Sequence, residues 1–276
     1  MRKALLATTL GAVALLSAGD AAADKPWIDR PLTLPPVHFA ADVGLGFGQY
    51  TTLSVNPSNP SAAPSQSTSL GWGSNLEAAI GLPFLGEFGA RVGYRFDQVG
   101  ANAQADHFGR LFDPILNDPG FDNMTNPELH LRGTLIPLEI FELGLETRAI
   151  LPTANGSSFG LSPGVPMRIH IPYLARIDTG LFFPIVFNAN TSYTIDIPAQ
   201  LFFQVSDAFF GPFTGVRYNH AGGGTDSTTD IPIGLGGGYT LGGMVDLKVQ
   251  VRTERVNDAN WARGIGGGFG VGLRVP

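Results

Sequence analysis

The sequence predicts an all-β chain folded as a closed antiparallel transmembrane β-barrel of about twelve strands. Three observations carry this expectation. Apolar and polar residues alternate with a period of two in twelve separate segments. The connections between those segments are alternately long and short, as when a barrel turns tightly at one membrane face and loosely at the other. No charge intrudes on the apolar set of any segment, where a lysine or arginine facing lipid at mid-bilayer costs about 2 to 4 kcal/mol.

Residues 1–23 read as a signal peptide. Arg2 and Lys3 precede an apolar run from Ala4 to about Leu16, and Ala21, Ala22 and Ala23 stand before Asp24. That run is too short for a membrane-spanning helix, and no later stretch supplies a long uncharged apolar segment. Cleavage after Ala23 removes Arg2, Lys3 and Asp20 from the 17 basic and 23 acidic side chains, leaving a net charge of about −7. Such a chain is not expected to bind nucleic acid. The absence of cysteine excludes disulfides, thiolate catalysis and cysteine-held metal. Charged residues are only 14% and glycines number 37, which suits membrane crossing by strands, although a soluble all-β fold has similar figures.

Residues 24–36 form a proline-rich lead expected to lie in the periplasm, ahead of a barrel domain over 37–276. Segment 37–50 sets Phe39, Val43, Leu45 and Phe47 against Asp42, Gly44, Gly46 and Gly48. Segment 69–82 opposes Leu70, Trp72, Leu76 and Ile80 to Glu77, and segment 88–97 opposes Phe88, Val92, Tyr94 and Phe96 to Arg91 and Arg95. Segments 127–136 and 139–151 meet at Pro137, with Glu128, His130 and Arg132 on one strand and Glu142, Glu146 and Arg148 on the next, all opposite leucines. Segment 160–171 carries Arg168, 174–187 carries Arg176 and Asp178, 192–205 carries Asp196, and 208–218 carries Arg217. Segment 230–241 is rich in glycine, 244–252 alternates Asp246, Lys248 and Arg252 with Val245, Leu247, Val249 and Val251, and 266–275 closes the series. Pro184, Pro198 and Pro212 fall inside strands and are expected to mark bulges or strand ends, because a closed barrel has no free edge for a missing N–H.

A second test is the placement of aromatic rings. Outward rings gather near segment ends, with Phe47, Trp72, Tyr94, Phe96, Phe187, Tyr193 and Tyr218 in one belt and Phe39, Phe141, Phe203, Phe210 and Tyr239 in the other. Phe183 and Phe269 fit this less well. The inward charges named above form the expected lumen lining, either as a cross-strand salt-bridge network or as charge rings that set solute preference. Gly44, Gly46, Gly234, Gly236, Gly238, Gly268, Gly270 and Gly272 make an inner wall nearly free of side chains. It either permits strong twist or leaves room for a plug or solute path. The loop 98–126 holds more apolar residues than a solvated loop needs: Phe108, Leu111, Phe112, Ile115 and Leu116. A short helix is expected from about Asp106 to Phe112, stopped by Pro114. The loop is a candidate constriction, and equally a candidate outer cap.

Twelve alternating strands, a signal peptide and segments such as VGLGFGQY and GGGFGVGLRV resemble Gram-negative outer-membrane β-barrel proteins of porin-like character. The resemblance is architectural and spans the mature chain. It implies outer-membrane lipid as surroundings, short periplasmic turns, long external loops, and no cofactor or metal. Enzymes of this architecture place a histidine two residues before a serine. Here the residues two after His38, His107, His130, His170 and His220 are Ala40, Gly109, Arg132, Pro172 and Gly222, so no enzyme is expected. The expected function is diffusion of ions or small solutes, with a closed structural or surface-interaction barrel as the alternative and an enzyme without a recognisable motif third. One departure is the end, Leu273 to Pro276, where such barrels commonly carry an aromatic residue.

Overall fold

The computed structural model describes residues 25–54, 65–84, 86–96, 111–112, 127–153, 158–187, 191–220, 227–253, 255–257 and 265–276. Strands β1 (Phe39–Ser54), β2 (Ser65–Leu82), β3 (Gly86–Arg95), β4 (Glu128–Pro137), β5 (Phe141–Ile150) and β6 (Phe159–Ile171) follow one another as antiparallel neighbours. The seventh span is broken into β7 (Ala175–Phe182) and β8 (Ile185–Phe187), and both pieces pair with β6 and with β9 (Ser192–Val205). Next come β10 (Ala208–His220), a tenth span divided into β11 (Thr228–Asp230) and β12 (Ile233–Leu241), then β13 (Val245–Thr253) and β14 (Ile265–Val275). Pairing of β1 with β14, from Phe39 opposite Val275 to Gly48 opposite Gly266, closes a barrel of twelve spans. The last strand is therefore paired along its length without a terminal aromatic residue.

The two broken spans have a local cause. Pro184 and Pro232 sit in the breaks and offer no ladder N–H. Their carbonyls are taken instead by the Thr194 N–H (2.8 Å) and the Thr214 hydroxyl (2.9 Å). Pro198 and Pro212 lie within β9 and β10. The β7–β9 ladder keeps its register but skips Gly180 and Leu181, and the β9–β10 ladder skips Gly211 and Pro212. The Thr179 hydroxyl donates to the Pro198 carbonyl at 2.7 Å.

Five tight turns, with described residues 83–84, 138–140, 172–174, 206–207 and 242–244, lie at one end. Phe84, Tyr173, Ser206 and Gly242 have positive φ there, the backbone sense that closes a short hairpin.

The two faces of the wall have the inverse of a soluble protein's polarity. Among the outward side chains Val249 is 54% exposed, Leu235 67% and Trp72 56%, while Arg148, Glu146, Glu128 and Asp246 are buried. Rings pair across strands in the outer belts, Phe47 with Trp72 at 6.2 Å and Phe203 with Phe210 at 6.2 Å between centroids. Leucines do not pack together at the centre, which removes the soluble sandwich reading.

The described residues 25–36 of the lead, which was expected over 24–36 ahead of the barrel in the periplasm, take a different course. A single 3₁₀ turn, Trp27–Asp29, and the chain after it to Leu34 run inside the wall, and Trp27, Ile28, Arg30, Leu32, Thr33 and Leu34 are buried. Apolar side chains in this lead have no lipid to face, and its extended, proline-rich backbone leaves amides and carbonyls for the lumen side chains to bind.

Candidate functional site: the charged lumen and its two occluding segments

The lumen charges sit where neighbouring strands bring alternate residues onto one face. Arg91 on β3 donates to Glu77 on β2 at 2.5 Å and lies 3.5 Å from Glu128 on β4. Arg132 donates to Glu146 at 2.7 Å, and Arg148 bridges Glu146 and Glu128, the latter at 3.2 Å. Arg168 and Arg176 share Asp178, at 2.6 and 3.0 Å. Arg217 faces Asp196 at 3.5 Å, Lys248 donates to Asp42, and Arg252 is buried on β13. Glu142 does not reach an arginine of the network; its Oε2 lies 3.1 Å from His170 Nε2 and accepts the Leu32 N–H at 2.9 Å. His130 meets Glu87 at 3.3 Å. The Arg95 side chain and residues Phe108, Ile115 and Leu116 lie outside the described residues, as does nearly all of the helix expected over 106–112; Leu111 and Phe112 form a turn.

Three contributors escaped the alternation argument. Glu87 stands at the edge of a turn in the sequence, yet its Oε2 accepts the Leu34 N–H at 2.9 Å and Arg132 lies 3.6 Å from its Oε1. His170 Nδ1 bonds the Ile28 carbonyl at 2.9 Å. Arg30, in the proline-rich lead, reaches Asp246 with both terminal nitrogens, at 2.5 and 3.0 Å. Extending the period of two from Arg91 back to Glu87 and from Arg168 on to His170 is the signal that could have found these two. Nothing local could announce the lead's contacts, which span 53 to 216 residues of sequence.

The strand side chains thus hold the lead as a floor just inside the short-turn end. Arg168 donates to the carbonyls of Arg30 (2.9 Å) and Pro31 (2.7 Å), Arg176 to that of Trp27 (2.7 Å), and Thr33 and Thr134 share a bond at 3.1 Å. The carbonyls of Trp27, Arg30 and Pro31 are met by arginines and the N–H groups of Leu32 and Leu34 by carboxylates, and such charge-assisted bonds are the stronger kind.

Above the floor, Leu111 and Phe112, the described residues of the long loop, meet it. Trp27 stacks on Phe209 with 4.1 Å between ring centroids and meets Phe202 edge-on at 4.8 Å; Phe112 closes on the same cluster, 5.8 Å from Trp27 and 5.1 Å from Phe202. The Arg176 guanidinium lies 3.6 Å over the Trp27 ring. Phe112 is tied by its N–H to Gln250 Oε1 (3.1 Å) and by its carbonyl to Gln200 Nε2 (3.2 Å). Two glycines of the bare wall make the approach possible. A Cβ on Gly236 would stand 2.3 Å from a Phe112 ring carbon, and one on Gly270 would stand 2.5 Å from Leu111 Cδ1.

Two cavities remain around these segments. One of about 230 Å³ lies between the aromatic cluster and the arginines of β3 to β7, and one of about 170 Å³ lies between the lead and β1, β2 and β14. They share Trp27, Leu32, Asp42, Glu77, Arg132, Arg168, Arg176 and Arg274 as lining.

A closed twelve-span wall, apolar outside and ionised inside, defines a porin-like barrel of the outer-membrane type. No family model matches the chain, and no curated protein matches its sequence. Solved structures match in fold. The COG4313 outer membrane channel from Pseudomonas putida F1 superposes with a TM-score of 0.60 at 10% identity, covering 91% of this chain and 99% of that one. The NanC porin superposes with a TM-score of 0.54 at 7% identity, covering 86% and 99%.

Proposed function

We propose that the protein, exported with residues 1–23 removed, is an outer-membrane channel for passive diffusion of ions or small solutes, narrowed by its N-terminal lead and by the loop 98–126 at Phe112. The observation that supports this reading is the shared lining of the two cavities, which adjoin across the lead on the β14–β1–β2 side, where Ala40, Ala79 and Gly44 are small. Ionised side chains along that route keep it wet, and a wet route admits charged and polar solutes. No metal-ligand cluster occurs among the described residues, and the contact of His220 Nδ1 with the Ser227 hydroxyl at 3.1 Å is exposed, away from the two cavities.

The network around the lead also supports a second reading, a barrel closed at rest whose loops act at the surface. Conductance of the purified protein in a planar bilayer separates the two. The channel reading expects small, voltage-stable steps that grow when residues 25–34 are deleted. Electrical silence in both the full chain and the deletion would remove it.

A further inference from the structure

Beside the junction of the two cavities, the acids Asp42 and Asp246 face three cations. Asp246 is already held by two bonds from Arg30 and one from the Thr240 hydroxyl at 2.9 Å. Asp42 is held by Lys248. Arg274, on β14 beside both, stands 3.8 Å from each carboxylate, and its side chain donates no hydrogen bond among the described residues. This local group therefore has three cations for two acids. Arg274 is also the most open of the lumen cations in that group, with 28% of its side chain exposed against 9% for both Lys248 and Arg30. It lines both cavities.

A guanidinium with free donors in a walled passage attracts an anion, and its planar fork fits a carboxylate through two parallel bonds. A single guanidinium without a hydrogen-bonded acid offers one carboxylate site. Leu32 and Trp27 line both cavities beside it and offer apolar contact to a short carbon skeleton. The acids Glu77, Glu146 and Asp178 also line the larger cavity, and Glu77 and Glu87 the smaller, but Glu77, Glu146 and Asp178 already accept from Arg91, Arg132 and Arg168, and Glu87 from the Leu34 N–H. We infer that Arg274 is the docking point at which the channel takes up small organic monocarboxylates, a step that rests on the diffusion reading and names its solute class.

The test uses the full-length mature barrel in detergent and in planar bilayers. Titration of ¹³C-labelled acetate followed by NMR line broadening reports binding without requiring conduction. Arg274→Gln should weaken acetate binding about tenfold or more, the scale of one lost charge-assisted bond, and Arg274→Lys, which keeps the charge but not the fork, should fall between. Chloride should compete weakly, and acetamide, neutral and of the same shape, should not compete. In liposome swelling, acetamide flux should be equal in wild type and Arg274→Gln. Equal acetate affinity in wild type and Arg274→Gln would overturn the inference, as would acetate and chloride binding alike. Wild-type binding lost in Arg274→Gln, together with electrical silence and no acetamide flux, would retain the site and overturn the channel reading alone. Heat-modifiable mobility on gels checks that each variant is folded, and Arg274→Lys serves as the surviving variant if Arg274→Gln does not assemble.

Discussion

Arg30→Met is the sharpest perturbation of the floor across the short-turn end. Arg30 is the only ionised side chain of the buried stretch Trp27–Leu34 besides the half-buried Asp29, and its partner Asp246 is fully buried. Removing one partner of a buried pair costs about 3 to 5 kcal/mol, because the remaining charge is left uncompensated. Here Asp246 keeps its bond from Thr240 and the more distant Arg274, which argues for the lower end, about 3 kcal/mol. The barrel does not have to absorb that cost by unfolding. Releasing the lead lets water reach Asp246, so the loss falls on docking of the lead and shifts its bound-to-released ratio by about a hundredfold. Single-channel recording should show longer or more frequent openings to a higher conductance level. Fluorescence from Trp27, isolated by replacing Trp72 and Trp261 with phenylalanine, should shift to the red as the ring leaves Phe209. A variant with wild-type conductance and wild-type Trp27 emission would refute the claim that this pair holds the lead in place.

The other predictions follow from the same geometry. Gly236→Val places a side chain where the Phe112 ring lies, at 2.3 Å for the Cβ alone; it should evict Phe112 and raise conductance, as should deletion of residues 104–122, and unchanged conductance in both would take the loop out of the pathway. Val249→Arg puts a cation on the lipid face beside the lumen-facing Lys248 and should destabilise the barrel by about 2 to 4 kcal/mol in guanidinium unfolding from lipid; a neutral effect would contradict the assigned faces. Glu146→Gln strips Arg132 and Arg148 of their shared carboxylate and should cost about 3 kcal/mol or more in the same assay, partly recovered by the compensating Arg148→Met.

Trp27 and Arg30 illustrate what the sequence hides. They stand in a stretch with no sustained alternation, so no local pattern distinguishes a periplasmic tail from a segment folded back into the barrel. Their partners Phe209 and Asp246 lie about two hundred residues away. Phe112 is a partial case: an excess of apolar residues in 98–126 marked the loop as something other than a solvated connection, but which side chain reaches the glycine wall depends on where the loop descends. The interruptions at Pro184 and Pro232 show the same division, since proline announces a lost donor while the threonine that takes up each orphaned carbonyl comes from a neighbouring strand.

The alternation in the chain alone determined the twelve spans, their inward and outward faces, and the long and short ends, because side-chain direction in a strand is a local property repeating every two residues. Only the tertiary structure decided what fills the enclosed space. The lead, Phe112 of the long loop and the guanidinium of Arg274 depend on groups brought together by closure of the ring, and the energy of those contacts is set by distance through space rather than by order along the chain.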